Sequence, residues 1–129
     1  MPLTLFHTLF PLAPRVAFFF AFAIPVAAAE RALKSDAEIT EVFAGHTVSG
    51  TDDGEAYQEY LSPDGRIMGK GSDGAYEGAW QVYKGRLCFH YAEEPARKWD
   101  CSQVAVDGNR IIWDGDRKNT ATLSSGKSF

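Results

Sequence analysis

The chain has 129 residues and a formal net charge of −4, which leaves room for one domain and excludes a multidomain enzyme. Residues 1–29 are very apolar and carry one charge, whereas residues 30–129 carry 12 basic and 17 acidic residues. This acidic balance argues against a nucleic-acid partner, because phosphate contacts need clustered positive charge.

The first 29 residues have the layout of a secretory signal peptide. Arg15 precedes a short apolar run, and the segment ends in three alanines, Ala27 to Ala29. The alternative is a membrane-spanning helix, but the uninterrupted run is about nine residues long, against roughly 20 needed to cross a bilayer. We therefore predict cleavage after Ala29. A single exported domain over residues 30–129, periplasmic or secreted and without a membrane span, would remain.

One short helix is predicted over residues 35–44. Ser35 and Glu38 have the spacing of a capping box, and Gly45 is a natural stop. The apolar residues that share one face are Ile39, Val42 and Phe43. Such a helix is expected to cover one end or one face of a sheet.

From residue 46 onward the sequence alternates between strand-length runs and turns. Asp-Gly occurs five times, and glycine after Asp supplies the positive φ that tight hairpins need. Residues 76–82 show the clearest alternation of faces. The predicted strands cover residues 46–51, 55–61, 66–71, 75–83, 86–91, 99–106, 110–114 and 119–124.

These runs predict a mainly β fold, an antiparallel meander of about eight strands preceded by one short helix. We expect the meander to close into a small calycin-like barrel, because closure removes exposed strand edges. Gly69, Gly71 and Gly78 lie inside predicted strands, and we interpret them as bends at barrel corners.

The two cysteines of residues 30–129 are Cys88 and Cys101. An even cysteine count in an exported chain favours one disulfide bond. A hairpin register that pairs Tyr91 with Lys98 also pairs the two cysteines, and facing strand residues lie close enough for the bond. The alternative is a pair of metal ligands or a redox couple, but the C-x-x-C spacing of such sites is absent from the sequence.

Two short motifs resemble binding loops. Residues 69–74 match G-x-G-x-x-G, but a strand pattern follows where a dinucleotide site needs a helix, so we interpret them as a hairpin turn. Residues 114–116 resemble the start of a calcium loop, but no Glu follows at the twelfth position, and we interpret them as a turn. No cofactor is expected.

No residue is assigned as catalytic or as a metal ligand. The sequence has no G-x-S-x-G motif and no zinc-ligand spacing. A small hydrolase would need His46 or His90 to converge with carboxylates, which a sequence cannot show.

Aromatic residues are the remaining functional feature. In strands they fill a core first, and an eight-stranded barrel is just wide enough either to be filled or to hold one small ligand. If the barrel is open at one end, the candidate ligand-binding residues are Tyr57, Tyr76, Trp80, Phe89 and Trp113. The first hypothesis is therefore a monomeric, non-enzymatic domain that binds a small apolar ligand. The alternative is an inhibitor or envelope-stress protein that binds an envelope protein through a turn or an exposed edge.

Several motifs occur in a suggestive order: the turn Pro63-Asp64-Gly65, the strand Gly78-Ala79-Trp80, the pair Leu87-Cys88 and a second cysteine in Trp99-Asp100-Cys101. In this order the chain resembles a family of small exported proteobacterial proteins classed as a domain of unknown function, over roughly residues 36–126. The resemblance implies export, one disulfide bond and a β-meander, with a weaker fold-level analogy to calycin-like and lipocalin-like barrels. It implies no activity, cofactor or catalytic residue. His46 departs from the Asn expected at that position.

Overall fold

The computed structural model describes residues 20–24 and 29–129. The described residues form one antiparallel sheet and one short helix. The predicted signal peptide, residues 1–29, lies mostly outside the described residues. Within the described part of the chain, no helix has the length and apolar character needed to cross a bilayer.

The mainly β prediction and the predicted helix are confirmed. In chain order the elements are β1 (Arg31–Leu33), α1 (Asp36–Phe43), β2 (His46–Asp52), β3 (Glu55–Leu61), β4 (Arg66–Gly71), β5 (Gly74–Tyr83), β6 (Arg86–Tyr91), β7 (Asp100–Ser102), β8 (Val104–Asp107), β9 (Arg110–Trp113) and β10 (Asp116–Ser125). The sheet therefore has ten strands rather than about eight. β1 was not predicted, and the single strand predicted over residues 99–106 is two strands.

The strand order of the sheet is β1-β8-β9-β10-β2-β3-β4-β5-β6-β7. β2 to β7 form one meander, β8 to β10 form a second, and the pair β10–β2 joins them. β1 lies at one edge and β7 at the other, and no ladder joins these edges in the residues described. The predicted closed eight-stranded barrel is therefore not confirmed. The sheet is instead a curled half-barrel.

A single residue connects opposite regions of this sheet. β7 ends at Ser102 and β8 begins at Val104, although seven other strands lie between them in the sheet. Two residue steps span at most about 7 Å, so the sheet has to curl until these regions approach each other. The N–H of Gln103 donates to Oδ1 of Asp114 over 2.8 Å, and the N–H of Asp114 donates to the carbonyl of Gln103 over 2.8 Å. These reciprocal bonds hold the corner, which is why residues 99–106 are not one strand.

The helix closes one end of the half-barrel. Its capping box forms as predicted, and Ile39 and Phe43 are fully buried in the core. Oδ1 of Asp36 accepts a hydrogen bond of 2.6 Å from the N–H of Gly85, in the turn between β5 and β6. Because antiparallel hairpins alternate ends, the turns β2–β3 and β4–β5 lie at the opposite end, away from α1.

The predicted disulfide bond between Cys88 and Cys101 is confirmed. The two residues face each other in the β6–β7 register, and Cys88 is fully buried. The bond therefore fastens a three-residue edge strand, β7, to the long strand beside it.

Replacing both cysteines with alanine should lower the free energy of unfolding by about 3 kcal/mol, because the cross-link restricts the unfolded chain. The two cysteines are separated by 13 residues along the chain. Denaturant titration of the oxidised protein and of C88A/C101A measures the difference. Reduced wild-type protein is the control, since it keeps both sulfur atoms and loses only the bond. An unchanged denaturation midpoint in both would contradict the prediction.

Candidate functional site

A cleft of about 660 Å³ opens at the end of the half-barrel that lies away from the helix. The turns β2–β3, β4–β5 and β9–β10 form its rim, and inward-facing residues of β3, β5, β6 and β9 form its walls. Its volume lies within the range of small-molecule sites, about 300–1,000 Å³. This end of the half-barrel is therefore open, whereas the end beside the helix is filled with side chains.

Four of the five candidate ligand-binding residues line this cleft: Tyr57, Tyr76, Phe89 and Trp113. The fifth, Trp80, is in the core with 7% of its surface exposed, and its Nε1–H donates to the carbonyl of Ser62 over 2.8 Å. Trp80 and Tyr76 share a face of β5, but Trp80 lies four residues further along the strand, toward the end that the helix closes. Face alternation predicts which side chains point inward, but it does not predict their depth.

Glu59 is the central polar group of the cleft, and no motif in the sequence marks it as a site residue. Only 5% of its surface is exposed. The hydroxyls of Tyr76 and Tyr91 each donate to its Oε1 over 2.8 Å. No described group donates a hydrogen bond to Oε2, and Glu59 is one of the residues that line the cleft. Alternation along β3, which places residue 59 on the face of Tyr57, was the available clue.

Glycines in neighbouring strands give the tyrosine rings their positions. In the sheet register, Gly69 of β4 lies between Glu59 of β3 and Tyr76 of β5. A Cβ atom on Gly69 would overlap the ring of Tyr76, so this ring crosses directly over the glycine and carries its hydroxyl to Glu59. Gly50 and Tyr57 repeat the arrangement, since a Cβ on Gly50 would lie 2.6 Å from the Tyr57 hydroxyl. Gly69 therefore leaves room for a ring, a role that its interpretation as a bend missed.

The acidity of these groups follows from burial and from their mutual proximity. Burial raises the pKa of Glu59, the two tyrosine hydroxyls oppose this shift, and the charge of Asp52 adds to it. Burial and the nearby carboxylate of Glu59 raise the pKa of Tyr57 to about 12. The same causes raise the pKa values of Tyr76 and Tyr91. The three phenols are therefore protonated at neutral pH and act as hydrogen-bond donors.

Aromatic contacts tie the cleft walls to the core. The ring of Trp113 lies 6.0 Å from that of Phe89 in an edge-to-face arrangement and 6.4 Å from that of Phe43 in the helix. The rings of Tyr76 and Tyr91 meet edge to face at 5.9 Å. Such pairs add roughly 0.5–1.5 kcal/mol each beyond their buried area, so the walls are preformed rather than loose.

Neither of the two histidines in the described residues lines the cleft. His46 donates from Nδ1 to the carbonyl of Ala44 over 3.0 Å, and His90 packs on Trp99 with 5.4 Å between ring centroids. Residues 69–74 form the β4–β5 hairpin as predicted, and residues 114–116 lie at the β9–β10 turn as predicted. Among the described residues, no three His, Cys, Asp or Glu side chains converge closely enough to hold a metal ion.

Comparison of the chain with protein-family models, curated proteins and solved structures finds no match. The resemblance to a family of small exported proteobacterial proteins therefore stays a prediction.

Gly69→Ala should destabilise the protein by about 1–3 kcal/mol, because the added methyl group displaces the ring of Tyr76 from its place beside Glu59. Gly71→Ala is the matched control in the same strand. Its Cβ would make an ordinary contact at 3.6 Å with the same ring. Denaturant titration of both variants measures the difference, and equal losses of stability would contradict this account of Gly69.

Glu59→Gln should flatten the dependence of stability on pH. Because the pKa of Glu59 is raised in the folded state, the folded protein binds more protons than the unfolded chain, and stability falls as pH rises through the folded-state pKa. Gln remains neutral and its carbonyl still accepts both tyrosine hydroxyls. Thermal unfolding between about pH 4 and about pH 8 therefore separates wild type from E59Q most at the alkaline end, with E59Q the more stable.

Glu59→Leu is the control for the hydrogen bonds. It leaves the hydroxyls of Tyr76 and Tyr91 without their acceptor, which should make E59L about 1–3 kcal/mol less stable than E59Q at every pH tested. Parallel pH curves for wild type and E59Q would contradict the assignment of the pH dependence to Glu59.

Proposed function

We propose that the protein is an exported, non-enzymatic binding protein that takes up a small molecule with an apolar body at the open end of its half-barrel. The observation that carries the proposal is the cleft of about 660 Å³, whose lining is more polar than apolar but includes the aromatic side chains of Tyr57, Tyr76, Phe89 and Trp113. A site of this kind holds a ligand by burying its apolar surface, and a few placed polar groups orient it.

The arrangement of the walls supports binding without large rearrangement. Phe89 and Trp113 present one aromatic surface, and Trp113 also packs against Phe43 of the helix. Tyr57 and Tyr76 present another, held over the glycines of neighbouring strands. A preformed cleft saves the entropy that ordering loose side chains would cost on binding.

Two features support export. The disulfide bond between Cys88 and Cys101 is of a kind that persists in oxidising compartments. The sequence of residues 1–29 has the pattern of a secretory signal. Together they favour a periplasmic or secreted location.

Titration with the neutral fluorescent probe N-phenyl-1-naphthylamine tests the proposal. The purified protein should bind it saturably at one site. Tyr57→Ala should weaken binding by at least about fivefold, since it removes one large aromatic contact of the cleft wall. Tyr83→Ala is the matched control, because Tyr83 is 55% exposed and lies away from the cleft. Non-saturable binding, or equal effects of the two variants, would overturn the proposal.

A second candidate function is recognition of an envelope protein by strand addition. It is favoured by the open edge of the half-barrel at β7, which pairs only with β6 among the described strands. The same titration distinguishes the two functions, since recognition of a protein at that edge requires no saturable binding of the probe.

A further inference from the structure

Charge is distributed unevenly around the cleft. Of the 22 described residues that line it, eight are Asp or Glu, and none is Lys, Arg or His. These eight are nearly half of the 17 acidic residues of the chain. A concave surface with charge of one sign focuses the field and concentrates ions of the opposite sign.

Among the described residues, no carboxylate of the cleft forms an ion pair, although Arg97 and Lys98 line an adjoining pocket together with Asp52 and Asp100. The four ion pairs among the described residues use Glu30, Asp64, Glu94 and Asp107, and none of these lines the cleft. Three of the cleft carboxylates accept hydrogen bonds at the rim: Glu55, Asp114 and Asp116. Asp52, at the mouth of the cleft, accepts none from the described residues and lies close enough to influence both Tyr57 and Glu59.

The buried carboxylate of Glu59 also favours a positively charged ligand. Glu59 is 95% buried and lines the cleft, both of its hydrogen bonds end on Oε1, and no described group donates to Oε2. Burying a carboxylate without a countercharge costs free energy, and a bound cation would remove that cost. The phenol rings of Tyr57, Tyr76 and Tyr91 line the same cleft, and the faces of aromatic rings attract cations.

We propose that the ligand of this cleft is an organic cation, a molecule with an ammonium group on a hydrocarbon body. The ammonium group lies beside Oε2 of Glu59, and the hydrocarbon body lies against Phe89 and Trp113. This inference rests on the proposed function, because it names the class of ligand for the same cleft. An ammonium group in such a cleft is attracted both by the charge of the buried carboxylate and by the faces of the aromatic rings.

Isothermal titration calorimetry with three ligands of equal chain length tests this inference. The ligands are octyltrimethylammonium, 1-octanol and octanoate, each used below the concentration at which it aggregates. The cation should bind at least about tenfold more tightly than the alcohol, and octanoate should bind more weakly than either. Affinity for the cation alone should fall as the salt concentration rises.

Glu59→Gln should weaken binding of the cation by at least about tenfold and leave the affinity for 1-octanol within about twofold, since it removes charge and keeps both hydrogen bonds. Glu41→Gln is the matched control, because Glu41 is exposed on the helix at the other end of the half-barrel. If E59Q does not show cooperative thermal unfolding, Asp52→Asn at the mouth of the cleft replaces it in the titrations. This variant should lower the affinity for the cation about threefold.

Each outcome supports or overturns the inference. Equal affinities for the cation and the alcohol, or equal effects of E59Q and E41Q, contradict the assignment of an organic cation as the ligand. They do not contradict the proposed binding function. Binding of none of the three ligands overturns the binding function itself. Stoichiometric binding of Ca²⁺ that is lost in E59Q and blocks octyltrimethylammonium overturns the organic cation in favour of a metal ion.

Discussion

The connection from β7 to β8 through Gln103 is the constraint on which the rest of the structure depends. It joins two strands that the sheet order places far apart, so the sheet cannot lie flat. The paired hydrogen bonds between Gln103 and Asp114 hold the two regions together at this corner. Without that curl, the inward faces of β3, β5, β6 and β9 would not surround a common space. Both the core and the cleft follow from it.

The two ends of the half-barrel differ because different side chains fill them. At one end Phe43 and Ile39 of the helix are fully buried against large apolar residues of the strands. At the other end, glycines at positions 50 and 69 leave room over the sheet, and the rings of Tyr57 and Tyr76 occupy that room. Rings held against the sheet leave the space in front of them open. The cleft is therefore a consequence of small residues facing large ones across neighbouring strands.

At Glu59, the stability of the fold conflicts with the placement of a charged group in the cleft. Its inward position would suit an apolar residue, and burial raises the pKa of the carboxyl group. Two phenol hydroxyls stabilise it through Oε1, but no side chain supplies a positive charge among the residues that line the cleft. Groups that violate the usual packing rules in this way are typical of binding and catalytic sites.

Local patterns in the sequence were sufficient for much of the fold. Asp-Gly turns and alternation predicted most strands, the capping box of Ser35 and Glu38 predicted the helix, and hairpin register predicted the pairing of Cys88 with Cys101. These features depend on residues close together in the chain, where turn chemistry and side-chain period act directly. The inward orientation of Tyr57, Tyr76, Phe89 and Trp113 followed from the same period.

Only the tertiary structure decided how the strands combine. The break at Gln103, the pairing of β10 with β2 and the open edges replaced the expected eight-stranded barrel. It also decided that Trp80 is core and that Glu59 is the polar centre of the cleft. Depth along a strand and contacts between distant segments depend on how the whole sheet curls. Alternation with a period of two predicts the face of the sheet on which each residue lies. It does not predict which residues lie opposite that face.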